Sequence, residues 1–262
     1  MSKALTGKKM MVLPDQHYAP EGCPEGGVDP KAEACVLKSI DIVKPDIWIN
    51  IGDAGEYFPV CHFKYKRVKR PPLDYQLREL AADIVAVNAG LDKFDEALAK
   101  VGCKEKHFFE GNHEVWIDNL CAEYEHLKKE WAPQVLLKLK QRGFRYHPYG
   151  KYVKFGKLAV YHGGHFVGVY HAHKHALGLG HSVMYAHTHD QQTAKIATLD
   201  SYHGAWSIGC ICKMSKPFLK GKPTNWSHNF AVVHFLEGGK FNVEIVEILD
   251  GVCHLWGQKI AA

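Results

Sequence analysis

The 262-residue chain has no uninterrupted apolar stretch near the roughly 18–20 residues that a membrane-crossing helix needs. Its opening residues, 1–14, carry lysines and only a four-residue apolar run, which does not read as a secretory leader. Internal repeats and low-complexity linkers are missing, which excludes solenoids and flexible tethers. Cysteine is present eight times but never as Cys-x-x-Cys, so neither a zinc ribbon nor a disulfide framework is indicated. Buried, reduced cysteines are expected instead, with Cys210 and Cys212 on one face of a strand. Charge of one sign is also scarce: 33 Lys and Arg oppose 28 Asp and Glu, and a net +5 draws anionic partners only weakly. With 46% hydrophobic and 23% charged residues the chain can bury a core, which excludes disorder, collagen and coiled coil. These absences predict a soluble, cytoplasmic protein of one domain spanning 1–262, with no membrane partner and with its oligomeric state open.

Histidine is abundant, at 18 residues, and its placement matters more than its number. The first half reads as βαβα. Strands are expected at 9–13, 46–51 and 107–110. A helix from Pro30 is capped by Asp29, and the residues 74–100 hold the clearest helical spacing in the chain: Leu77, Leu80, Ile84, Val87, Leu91, Phe94 and Leu98. Helices are also expected over 114–129 and 133–141. After Gly143 strands dominate, at 144–155, 158–161, 183–186, 195–199, 205–211, 230–236 and 240–249, with one helix near 171–180. Two sheets flanked by helices accommodate both halves.

The predicted strands deliver polar turns: Asp15-Gln16-His17, Gly52-Asp53-Ala54-Gly55-Glu56, Gly111-Asn112-His113-Glu114, Tyr161-His162-Gly163-Gly164 and Ala186-His187-Thr188-His189. Ligands of open α/β sheets bind at the carboxyl ends of strands. Mixed Asp, Asn and His donors there suit manganese, iron or zinc better than thiolates would.

These five turns, in this order, resemble the calcineurin-like metallophosphoesterase superfamily, whose pattern is Asp-x-His, Gly-Asp-x-x-Asp, Gly-Asn-His-Asp/Glu, His-Gly and Gly-His-x-His. The resemblance runs from Asp15 to His189. It implies a four-layer αββα fold, an α/β (α+β) two-sheet sandwich flanked by helices. It implies two divalent metal ions, manganese foremost, with iron, zinc, nickel or cobalt as alternatives. One ion would be held by Asp15, His17, Asp53 and His189 and the other by Asp53, Asn112, His162 and His187, with Asp53 shared. A hydroxide bridging the ions would attack phosphorus, His113 would protonate the leaving oxygen as general acid, and Glu56 would orient His113.

Three positions depart from the family pattern: Glu56 where Asp is usual, Ala186 where Gly is usual, and Trp116 where some relatives place an arginine. With no arginine clamp near the motifs, a phosphodiester of nucleic acid or a nucleotide is the leading substrate class, and a nuclease-type phosphodiesterase the leading activity. The alternatives are a phosphomonoesterase acting on a nucleotide, a small metabolite or a phosphoprotein, and a non-catalytic binding scaffold. The basic run Lys64, Lys66, Arg67, Lys69 and Arg70 is either solvated loop or a flap over phosphates, with Tyr65 placed to stack on a base. His165, His171, His173, His175 and His181 lie between the fourth and fifth motifs; His171 and His175 would share one face of a polar helix lining the pocket mouth, with no carboxylate spaced to complete a third metal site.

Overall fold

A computed structural model describes residues 5–24, 26–66, 68–199 and 201–262, so Arg67 of the basic run lies outside the described residues. Strand β1 (Lys9–Leu13) leads to helix α1 (Pro30–Val43), β2 (Ile47–Asn50), helix α2 (Leu73–Lys100) and β3 (Glu105–Phe109). Helix α3 (Asn112–Glu123) and two single-turn helices, α4 (Lys128–Trp131) and α5 (Pro133–Leu136), precede β4 (Phe144–His147). The second half runs β5 (Val153–Phe155), β6 (Leu158–Val160), α6 (His171–Leu179), β7 (Ser182–Tyr185), β8 (Gln191–Ala197) and β9 (Tyr202–Ile208). It continues through β10 (Asn229–Phe235) and β11 (Phe241–Glu247) to the hairpin β12 (Val252–Leu255) and β13 (Gln258–Ala261).

Six strands form one sheet in the order β11-β10-β1-β2-β3-β4, with β1 to β4 parallel and β10 antiparallel to β1. Five form the other, β5-β6-β7-β9-β8, with β6, β7 and β9 parallel inside antiparallel edges. Alternation along β1 separates the layers. Met10 and Val12 point between the sheets, where they meet Leu158, Val160 and Met184. Met11 and Leu13 point outward beneath α1 and α2, with Ile40, Val87 and Leu91. The outer face of the second sheet carries Tyr161, Val183 and Tyr185 against Ala172 and Ala176 of α6. The layers are therefore helix, sheet, sheet, helix, as the motif order implied.

Local chemistry explains the elements. Asp29 caps α1 by accepting from the main-chain N–H groups of Lys31 and Ala32, both at 2.9 Å. The α2 stripe is buried at Leu80, Ile84, Val87, Leu91, Phe94 and Leu98, each worth about 1.5–3 kcal/mol on removal from water. Three expectations change. The span 144–155 is two strands in different sheets, because Pro148-Tyr149-Gly150 turns the chain, with Gly150 at φ 76°. Helix α3 stops at Glu123, where Tyr124 leaves helical geometry (φ −127°, ψ 78°). The helix expected over 133–141 shrinks to α5 because Lys138 takes φ 53°. Among the described residues, no helix is long and apolar enough to cross a membrane.

Candidate metal centre

The ends of five parallel strands meet at one edge of the two-sheet core. β1 delivers Asp15 and His17, β2 Asp53, β3 Asn112 and His113, β6 His162, and β7 His187 and His189. The turns are tight enough to force left-handed backbones at His17, Asp53, His187 and His189, with φ of 52°, 49°, 71° and 62°. Such a conformation costs a non-glycine residue roughly 1–2 kcal/mol, and strain of this kind collects where function over-determines the backbone. Gly111 is required by contact: a Cβ there would lie 2.1 Å from Asp53 Oδ1.

The side chains fall into two groups that share Asp53. Asp15, His17, Asp53 and His189 each offer a ligand atom within 4.8 Å of the others, and Asp53, His162 and His187 do the same. Nε2 of His17 and Nε2 of His189 stand 3.0 Å apart, and His189 Nε2 lies 3.2 Å from Asp15 Oδ2. On the other side, Asn112 Oδ1 is 2.6 Å from His187 Nδ1 and 3.1 Å from His162 Nε2, which is itself 3.4 Å from Asp53 Oδ2. The structure thus brings all seven predicted metal-ligand positions together.

The donor set fits metal ions. His162 Nδ1 donates to the main-chain oxygen of Ile51 at 2.9 Å, so its Nε2 is the lone-pair nitrogen, and it faces two oxygen acceptors. Asp15 Oδ1 is buried without a hydrogen-bond partner. Buried acceptors that face acceptors need a cation between them, either a proton or a metal ion. With only protons available the strain appears in the titration. Burial pushes the Asp15 carboxyl up to about 7 against the pull of His189 and His162. Burial also favours neutral His162, but the Asp53 and Asp15 carboxylates overcome it and hold the imidazolium up to about 10. Burial and the adjacent His162 drive His187 down to about 3.

His113 lies beside this centre, its main-chain N–H donating to Asp53 Oδ1 at 2.9 Å. Its Nδ1 donates at 2.8 Å to the main-chain oxygen of Glu56, which leaves Nε2 for the cleft. The expected route through the Glu56 carboxylate is therefore replaced by its backbone. The carboxylate instead stands between His17 Nδ1, at 3.3 Å, and Lys216 Nζ, at 2.7 Å. Burial would raise Glu56, yet His17, His113 and Lys216 together hold it down to about 2, so it stays ionised.

Some roles were not assigned from the sequence. The buried Glu114 carboxylate accepts from the main-chain N–H groups of Asp53, Ala54 and Gly111 at 2.8–2.9 Å, clamping two ligand-bearing turns together. Its place as the third residue of α3 was the available signal, since that side chain reaches back over the helix start. Lys216 and Cys212 gave no signal, being far along the chain from every motif. Cys212 Sγ lies 3.8 Å from His189 Nδ1, so one expected core cysteine touches a ligand residue. Cys210 and Cys212 follow the end of β9, and both are buried.

The centre opens into a cleft of about 530 Å³ whose walls include Phe58, Phe63, Lys64, Trp116, Lys216 and Trp226. Of the basic run, Lys64 reaches it. Arg70 pairs with Glu123 at 2.6 Å, and Tyr65, which donates its hydroxyl to Pro59 O at 3.0 Å, is not among the residues that line the cleft. Of the α6 histidines, His171 lines a cavity together with His187 and Trp226, at the side of the metal-centre cleft. His171 and His175 are buried against the second sheet, and a carboxylate does meet His171: Asp190, 2.9 Å from its Nε2.

The chain is thus an αββα protein with a buried His/Asp cluster able to hold metal ions at its strand ends. No protein-family model matches it, and no curated protein does. Among solved structures it is similar to Chaetomium thermophilum Vps29, at 10% identity over 97% of this chain and 97% of that one, with a TM-score of 0.45. It is also similar to the solution structure of Thermotoga maritima protein TM1076, at 14% identity over 92% and 99% of the two chains, with a TM-score of 0.35.

Proposed function

We propose that this chain is a binuclear metal-dependent phosphoesterase that hydrolyses a phosphodiester of nucleic-acid or nucleotide type, with His113 as general acid. The observation that carries the reading is the pair of ligand groups sharing Asp53. Asp15, His17, Asp53 and His189 would hold one ion, and Asp53, Asn112, His162 and His187 the other. Two divalent ions, manganese by preference with iron, zinc, nickel or cobalt as substitutes, would supply Lewis acidity and an activated water. Only Asp15 and Asp53 among these ligands are anionic, so about two positive charges remain to attract a phosphate ester.

The remaining steps belong to side chains. His113, with Nδ1–H fixed on Glu56 O, can carry a proton on Nε2 to the departing oxygen. The Glu56 carboxylate faces the far nitrogen of His17, the place where a second carboxylate orients a ligating imidazole. Lys216 is neutralised by Glu56, which leaves the cleft without a strong clamp for a dianion. That favours a singly charged diester over a monoester. Buried thiols at Cys35, Cys61, Cys103, Cys121, Cys210, Cys212 and Cys253 suit the reducing cytoplasm, where we place the protein.

The test compares bis(p-nitrophenyl) phosphate with p-nitrophenyl phosphate on chelator-stripped, Mn²⁺-reloaded protein, using Asp53→Asn as the blank. Faster diester turnover is expected. Faster monoester turnover would replace this reading with a phosphatase of nucleotides, metabolites or phosphoproteins. No turnover above the blank on either ester would leave a highly selective enzyme or a scaffold, and metal analysis would separate those two.

A further inference from the structure

A row of five rings crosses the floor of the cleft. Trp116 lies tilted over His113 with centroids 3.9 Å apart, and His113 meets His17 edge-on at 4.5 Å. His17 meets His189 at 4.9 Å, and His189 meets Trp226 at 4.4 Å. The three central rings belong to the metal centre and its proposed acid. The two end rings have no part in that chemistry, yet each is extended by a phenylalanine: Phe63 lies 6.3 Å from Trp116, and Phe218 lies 6.2 Å from Trp226.

Core packing does not account for the phenylalanines. Phe63 is 58% exposed and Phe218 65% exposed, and both line the cleft. Large apolar rings held open beside a polar, cation-binding centre leave apolar area that a ligand would cover. Cations beside Phe63 favour an anion: Lys64 lines the cleft, and Lys66 Nζ stands 4.5 Å from the centre of the Phe63 ring. Flat rings flanking a phosphate site, with lysines beside them, match the alternation of bases and phosphates along a single strand. Aromatic side chains bind that alternation by stacking, whereas a duplex keeps its base faces covered.

We infer that the cleft takes a phosphodiester bearing a planar, base-like group on each side of phosphorus, as a dinucleotide or single-stranded nucleic acid does. Phe63, set against the buried Trp116 beside the proton-donating His113, receives the group that departs. Trp226 and Phe218 receive the group that stays. The inference rests on the phosphodiesterase reading and narrows its substrate.

The test follows tryptophan fluorescence as Mn²⁺-loaded protein is titrated with the hydrolysis-resistant phosphorothioate of thymidylyl-thymidine, and separately with dibutyl phosphate, an apolar diester without flat faces. The dinucleotide should bind at least about tenfold more tightly. Phe63→Ala and Phe218→Ala should each weaken it by about tenfold, leave dibutyl phosphate unaffected, and keep metal content and melting temperature unchanged. Phe218→Leu, which keeps bulk without a ring, should behave like Phe218→Ala. Equal affinity for the two ligands, tighter binding of dibutyl phosphate, or indifference to the phenylalanine changes would overturn the inference. Bis(p-nitrophenyl) phosphate turnover separates the two ideas. Turnover without dinucleotide preference sinks the stacking sites alone, whereas phenylalanine-dependent dinucleotide binding without turnover sinks the phosphodiesterase alone.

Discussion

The buried histidines of α6 and those at the strand ends differ in what their nitrogens face. On α6, each nitrogen has a matched partner. His171 donates from Nε2 to Asp190 and meets the Tyr185 hydroxyl at Nδ1, 2.5 Å away. His175 donates from Nδ1 to the main-chain oxygen of His171 and meets the Tyr161 hydroxyl at Nε2, also 2.5 Å away. At the strand ends, His162 Nε2, whose Nδ1 already donates to Ile51 O, faces the oxygens of Asn112 and Asp53, and Asp15 Oδ1 is buried without a hydrogen-bond partner among the described residues. The backbones differ too, helical in the first cluster and left-handed at His17, His187 and His189 in the second. Burial and histidine density are therefore shared by both clusters and distinguish nothing. Mismatched lone pairs, held by a strained backbone, mark the cluster that could hold metal ions.

The largest expected effect breaks one cluster while sparing the other. Asp53→Asn removes the shared carboxylate and should lower Mn²⁺-dependent diester turnover by about a thousandfold or more, together with metal content. His171→Ala should keep metal stoichiometry at wild-type level and instead cost about 1–3 kcal/mol of stability, because Asp190 loses the His171 hydrogen bond and keeps that from Gln192. Elemental analysis and urea denaturation of both variants decide it. Metal loss in His171→Ala would abolish the distinction. Next in size is His113→Ala, which removes a proposed proton donor without removing a ligand. Turnover should fall by about 100- to 10,000-fold for alkyl leaving groups and much less for nitrophenyl esters, with metal content unchanged.

Much of this contrast could be read before any coordinates, and the reasons are local. The α2 stripe, the Asp29 cap and the five polar turns are short-range patterns, and each lies where spacing placed it. What escaped depends on contacts between distant segments. Glu56 reaches Lys216 across 160 positions, and Asp190 meets His171 across 19, so neither pairing leaves a periodicity to find. The partners of the α6 histidines escaped for the same reason, since Tyr161, Tyr185 and Asp190 come from neighbouring strands and loops. The C-terminal hairpin β12–β13 was missed because its four-residue strands flank a short turn and carry weak alternation.

A finer test asks whether orienting groups tune the mismatched cluster. Glu56→Gln keeps the shape of the side chain but removes the charge facing His17 Nδ1. Mn²⁺ affinity should fall about 10- to 100-fold by competition with a chelator dye, with the protein still folded. Unchanged affinity would show that Glu56 serves Lys216 alone.

The smallest expected effect tests the lone-pair criterion outside the metal centre. Asp83 on α2 is buried, and its Oδ2 has no hydrogen-bond partner among the described residues, as with Asp15 Oδ1. Burial pushes Asp83 up to about 7, with Glu56 and Glu79 adding to the rise. Asp15 is surrounded by imidazole nitrogens, whereas Asp83 joins none of the potential ligand groups among the described residues. Its missing cation should accordingly be a proton. The folded-state value lies above the unfolded one, so the stabilising contribution is complete below about pH 4 and fades as pH rises through 7. The slope from this group cannot exceed about 1.4 kcal/mol per pH unit. Urea denaturation of metal-free wild type and Asp83→Asn at pH 5 and pH 7.5 should show a smaller loss of stability across that interval in the variant. Comparing the two proteins cancels the other groups that titrate in the same range. Equal losses would mean that Asp83 is already ionised and paired, and that an unmatched oxygen alone does not predict a bound cation.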